Sequence, residues 1–127
     1  MAQVIFLLGG NIMGQPIDWA NIGVRIVQGL NTTIDAVRQL DTQEAALVMK
    51  LLGKSCTKMM KEGVGHQFGI AMIETSEKLA LKDKLVFEDV IKMITAIVGK
   101  LYFSAKTAEE LELVKQLDEA VRNYQVV

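Results

Sequence analysis

Cysteine and histidine each occur once in this chain, as Cys56 and His66. A single cysteine excludes an intrachain disulfide, and a single histidine excludes a metal site built from several histidines. On one long helix the two side chains would lie ~15 Å apart, too far for a nucleophile and its base. We therefore expect Cys56 to be a small core residue, and we expect neither a metal site nor a cofactor.

Long apolar runs and a basic leader are also missing. No stretch approaches the roughly 18 apolar residues that cross a bilayer. The apolar run at residues 4–8 has no basic residue before it, as a secretion signal would have, and Gly9 interrupts it. Together with the unpaired cysteine, these absences favour a cytoplasmic protein that is not a membrane protein.

Charge is absent from the first 17 positions and unevenly distributed after them. The formal net charge of −1 gives no overall attraction to nucleic acid or acidic lipid, so we expect neither as a partner. All 11 lysines lie at Lys50 or later. An uncharged apolar segment in water needs burial, either in the chain's own core or against a partner. Residues 1–17 are therefore the first candidate for an interface.

Helical periodicity dominates the remaining sequence. Apolar residues recur at steps of three and four from about residue 18 to 40, 42 to 62, 87 to 104 and 107 to 124. We predict that residues 1–127 form one all-α domain, a compact helical bundle of four to six helices.

Side chains typical of helix N-caps stand before three of these stretches. They are Asp18, Asp41 or Thr42, and Thr107, the last followed by Glu110 as in a capping box. Gly29 and Asn31 leave two alternatives for the first stretch, one continuous helix or two pieces.

Two segments suit either helix or strand. Residues 64–73 alternate between larger and smaller side chains, as a strand does, but Gly65 and Gly69 stand four apart, as in a helix that approaches a neighbour closely. Helix is favoured because residues 74–81 continue without a break. If residues 3–8 and 64–73 are both strands, they form a small two-stranded element and the fold becomes α+β.

A row of lysines follows one side of the second predicted helix. At ~100° per residue its members fall within about 80° of one another. Such a row binds phosphates as a set of point charges, although an ordinary solvated face gives the same pattern. No aromatic residue is interleaved to stack on bases, so a small anionic ligand such as a nucleotide is preferred over nucleic acid. The candidate anion face consists of Lys50, Lys54, Lys58 and Lys61.

The same helix is predicted to bury the side that carries Val48, Leu52, Cys56, Met59 and Gly63. Met49 and Met60 then lie off this side, towards a flank that a partner covers. Methionine suits adaptable contact surfaces. The candidate interface combines this flank with the N-terminal segment: Val4, Ile5, Phe6, Leu7, Leu8, Ile12, Met13, Met49 and Met60.

No catalytic motif is present, whereas the helices are unusually apolar. We therefore expect a non-enzymatic interaction protein that self-associates, as a dimer or a higher homo-oligomer, with another protein as the alternative partner. The alternative function is binding of a small anionic ligand on the lysine face.

Overall fold

A computed structural model describes residues 18–39, 41–84 and 86–125. Within these ranges the chain forms five α-helices and no strand, so the predicted all-α bundle is confirmed. Residues 64–73 lie inside a helix, and residues 3–8 lie outside the described residues. The helices are α1 (Trp19–Val37), α2 (Thr42–Met59), α3 (Gly63–Leu79), α4 (Phe87–Ser104) and α5 (Ala108–Gln125).

The first helix begins at its predicted cap and is continuous. The Asp18 carboxylate accepts a hydrogen bond of 3.2 Å from the Asn21 N–H. The helix then continues past Gly29 and Asn31 to Val37, so of the two alternatives the continuous helix is found. Gly29 instead allows close packing of α1 on α2, because a Cβ at this position would lie 2.8 Å from the Leu52 side chain.

The second helix ends at Met59, short of the predicted end at Glu62. Met60 adopts an extended backbone, and its side chain is only 3% exposed. The chain therefore leaves the helix to place this methionine in the core. Gly63 then starts α3 with a φ of +84°, a backbone conformation that glycine adopts without strain.

One buried apolar cluster is shared by all five helices of the described chain. Each helix contributes at least two side chains that are at most 1% exposed. Among them are Ile26 and Leu30, Met49 and Cys56, Phe68 and Met72, Ile94 and Val98, and Val114 and Leu117. Among the described residues, no helix combines the length and the apolar character needed to cross a membrane.

The backbones of α2 and α3 touch at two glycines. A Cβ on Gly53 would lie 2.6 Å from the Gly69 carbonyl oxygen, and a Cβ on Gly69 would lie 2.6 Å from the Gly53 carbonyl oxygen. Any larger side chain at either position would push the helices apart. The close approach that the spacing of Gly65 and Gly69 indicated is therefore confirmed, with Gly65 packed on Met60.

Glu110 joins α3 to the turn before α5. Its N–H donates to the Thr107 hydroxyl at 3.1 Å, as the predicted cap requires. Its carboxylate does not close the capping box. It accepts from the Lys106 N–H at 2.9 Å and from the Val64 N–H at 3.0 Å. This buried carboxylate thus satisfies a free donor in the first turn of another helix.

A cluster around Arg38 fixes α1 against the last two helices. The guanidinium carbon lies 4.8 Å from the centre of the Phe87 ring and 5.1 Å from that of Tyr124. The Tyr124 hydroxyl donates towards the Asp35 carboxylate and the Asn31 carbonyl, at 3.0 and 3.2 Å. These contacts lie on the side of α1 that faces α4 and α5, and α2 packs against another side.

We predict that Gly69→Ala destabilises the protein by about 1–3 kcal/mol. The added methyl group meets a backbone oxygen that cannot rotate away, and such overpacking outweighs the ~1 kcal/mol gain in helix propensity. Gly99→Ala is the matched control, since no atom lies within 4 Å of a Cβ at that position. It should stabilise the protein by about 0.5–1 kcal/mol. Urea denaturation followed by circular dichroism measures both, and equal stability of the two variants would refute the close contact.

Candidate binding surface between α1 and α2

An open apolar groove runs between α1 and α2, with a volume of about 630 Å³. We call it the apolar groove. Its lining includes Gly29 on α1 and Val48, Leu52 and Met59 on α2. Leu51 also lines it and is 54% exposed. Leu47, one turn earlier on α2, is 57% exposed, so apolar surface continues beyond the groove.

A second cleft adjoins the groove at the start of α1 and has a volume of about 550 Å³. We call it the cationic cleft. It is more enclosed than the groove. Three of its residues, Arg25, Lys58 and Met59, line both spaces, so the two are continuous. Its lining consists of Asn21, Ile22, Arg25, Lys58, Met59 and Lys61.

The positive charges of the cleft form no ion pair with another residue that the structure describes. Among the described residues the one ion pair is Arg122 with Asp118, on α5. The acid nearest to Arg25 in sequence is Asp18, and its carboxylate caps α1 by accepting from the Asn21 N–H. The cationic cleft therefore presents the guanidinium of Arg25 and two ammonium groups, with no carboxylate of residues 18–39, 41–84 or 86–125 at ion-pair distance.

The structure divides the predicted anion face into two parts. Lys58 and Lys61 line the cationic cleft. Lys54 is exposed and Lys50 is half-buried elsewhere on α2, and neither lines the cleft or the groove. Lys61 follows the end of the helix, so its place beside Lys58 comes from the turn and not from helical phase.

The two methionines that were predicted for the interface beside the N-terminal segment, Met49 and Met60, need correction. Met49 is 0% exposed and Met60 is 3% exposed, so both lie in the core of this chain and not on a flank. The buried side of α2 is turned by about 60° from the predicted one, towards Ala46 and Gly53, because that side packs on α3. The other candidates lie outside the described residues: Val4, Ile5, Phe6, Leu7, Leu8, Ile12 and Met13.

Cys56 and His66 occupy structural positions. Cys56 is fully buried, and burial raises the pKa of its thiol to about 12, so the thiol stays protonated at neutral pH. The His66 ring lies with Nδ1 3.1 Å from the Met60 carbonyl oxygen. Because a carbonyl only accepts, Nδ1 carries the proton and donates. Across the described residues, no group of three or more His, Cys, Asp or Glu is placed to hold a metal ion.

No protein-family model, curated protein or solved structure matches this chain. What the surface can bind follows from its own residues. An apolar strip bordered by exposed leucines suits contact with another apolar surface. The adjoining cleft, with three cations that form no ion pair among the described residues, suits a negatively charged group.

We predict that Cys56 reacts very slowly with a thiol reagent such as Ellman's reagent while the protein is folded. With a pKa of about 12, the native thiolate fraction at mildly alkaline pH is about a thousandfold below that of an ordinary cysteine. The same protein in guanidinium should react fully, one thiol per chain. Rapid labelling of the native protein would show that Cys56 is accessible.

Proposed function

We propose that this protein is a non-enzymatic interaction protein that self-associates, with its α1–α2 surface in the contact. The observation that carries the proposal is the pair Leu47 and Leu51, on successive turns of α2. They are 57% and 54% exposed, and Leu51 borders the apolar groove. Scattered exposed leucines are ordinary on a protein surface, but two beside an apolar groove form a continuous patch.

Burial of this patch supplies the driving force. Each Å² of apolar surface removed from water contributes about 25 cal/mol. A closed two-fold contact sets the same patch of both copies against each other, so the leucine pair of each copy is buried against the patch of the other. The aliphatic stem of Lys58, which lines the groove, can extend the apolar contact while its charge remains in water.

The uncharged segment at residues 1–17 is the second contribution to the proposed contact. It directly precedes α1, and none of its side chains needs a charged partner when it is buried. A cytoplasmic location is part of the same proposal and fits the unpaired, buried Cys56.

The double variant Leu47→Gln and Leu51→Gln should shift the protein from oligomer to monomer at micromolar concentration. The two amides keep the size and helix compatibility of the leucines but remove the gain from burial. Light scattering coupled to size-exclusion chromatography measures the molar mass. Because both leucines are more than half exposed, the melting temperature of the monomer should change little.

Phe103→Ser is the control for that experiment. Phe103 lies on α4, lines neither the groove nor the cleft, and is 93% exposed, so the control removes a comparable amount of apolar surface elsewhere. The control should leave the molar mass unchanged. A monomeric parent protein would overturn self-association, and a monomeric Phe103→Ser variant beside an oligomeric leucine variant would move the contact to α4.

A further inference from the structure

We propose that the cationic cleft is a binding site for a small phosphorylated molecule. The site does not rest on self-association, since all of its lining comes from one copy of the chain. Two helices and the turn after α2 build it. Arg25 comes from α1, Lys58 from the last turn of α2, and Lys61 from the turn.

The size and lining of the cleft fit a ligand of this class. Its volume of about 550 Å³ lies within the range of small-molecule pockets. Ile22 and Met59 give the ligand body an apolar contact, and the Asn21 amide can donate or accept beside the charged groups. A compact organic body that carries a phosphate group matches this mixture of apolar and cationic lining.

The three cations favour phosphate over a singly charged anion. Positive charges that face one space repel one another, and a doubly charged group placed between them converts this repulsion into attraction. The planar guanidinium of Arg25 has the geometry to hold two phosphate oxygens at once. The ammonium groups of Lys58 and Lys61 act as point charges and adjust to the remaining oxygens.

The cleft keeps a formal positive charge when its neighbouring acids are counted. Asp18 and Glu62 are the neighbouring acids in sequence, against Arg25, Lys58 and Lys61. All five residues are exposed, so solvent screens the charges of both signs. Asp18 is also engaged in capping α1. The carbonyl end of α2 near Met59 contributes about half a negative charge, and the amide end of α1 near Asn21 contributes about half a positive one.

A small molecule fits the site better than nucleic acid does. A nucleic-acid surface presents positive charge along an extended path, with aromatic residues for stacking. Here three cations line one cleft, and no aromatic residue is part of its lining. The other lysines of α2, Lys50 and Lys54, lie outside it.

Isothermal titration calorimetry of the full chain with pyrophosphate and with adenosine monophosphate tests the site. Arg25→Gln and Lys58→Gln should each weaken binding about tenfold, because each removes a charge-assisted hydrogen bond. Lys50→Gln and Lys54→Gln remove the same charge from the same helix outside the cleft, and each should weaken binding less than about twofold. Thermal melting of every variant checks that the fold is intact.

Three outcomes would overturn the proposal. The first is the absence of binding of either probe at millimolar concentration. The second is equal weakening by all four variants, which would indicate diffuse attraction to the net positive side of α2. The third is binding of a single-stranded oligonucleotide at concentrations where neither small probe binds, which would indicate a nucleic-acid surface instead. Self-association is measured separately by molar mass, so either proposal can fail without the other.

Discussion

The contact between the backbones of α2 and α3 at Gly53 and Gly69 is the constraint on which the surface chemistry of this protein depends. It brings the side of α2 that carries Ala46, Met49 and Cys56 onto α3 and buries it. Once packing against one neighbour fixes the rotation of a helix about its axis, the residues that face its other neighbours are fixed as well. The residues 60–100° away from the buried side therefore face α1, and those opposite it face solvent. The apolar groove, the exposed leucine pair and the position of Lys58 all follow from this one contact between two glycines.

Helices were predictable wherever local chemistry decides them. α4 begins and ends where its apolar period does, and α5 begins after the Thr107 cap. The apolar periodicity is a less reliable guide to which residues a helix buries. The end of α2 was not predictable, because no breaking residue lies between Met59 and Glu62. That end depends on burial of Met60 and on the hydrogen bond that Glu110 accepts from Val64, 46 residues away in sequence. A contact between residues so far apart in sequence cannot be inferred from the local sequence pattern.

The candidate site was only partly predictable, for a related reason. Lys58 and Lys61 stood out as members of a lysine row, but Arg25 and Asn21 come from α1 and become neighbours of these lysines only when the helices pack. The wrong placement of Met49 has a different origin. The predicted inner side of α2 was centred on its bulky residues, whereas the buried side is centred on small ones, among them Ala45, Ala46 and Gly53. Small residues let a neighbouring backbone come close, and close approach is what removes a helix face from water.

The apolar groove and the cationic cleft share Arg25 and Lys58, so the two proposed activities of this surface are linked in free energy. A two-fold contact brings the cations of both copies towards each other, and this repulsion opposes association. An anion in the cleft neutralises part of that charge and therefore favours association. By reciprocity, association strengthens anion binding by the same factor. Added salt separates the two effects, because screening weakens attraction between the cleft and an anion but relieves repulsion between like-charged copies. If both activities are present, molar mass should rise with salt in the absence of phosphate, while phosphate affinity falls.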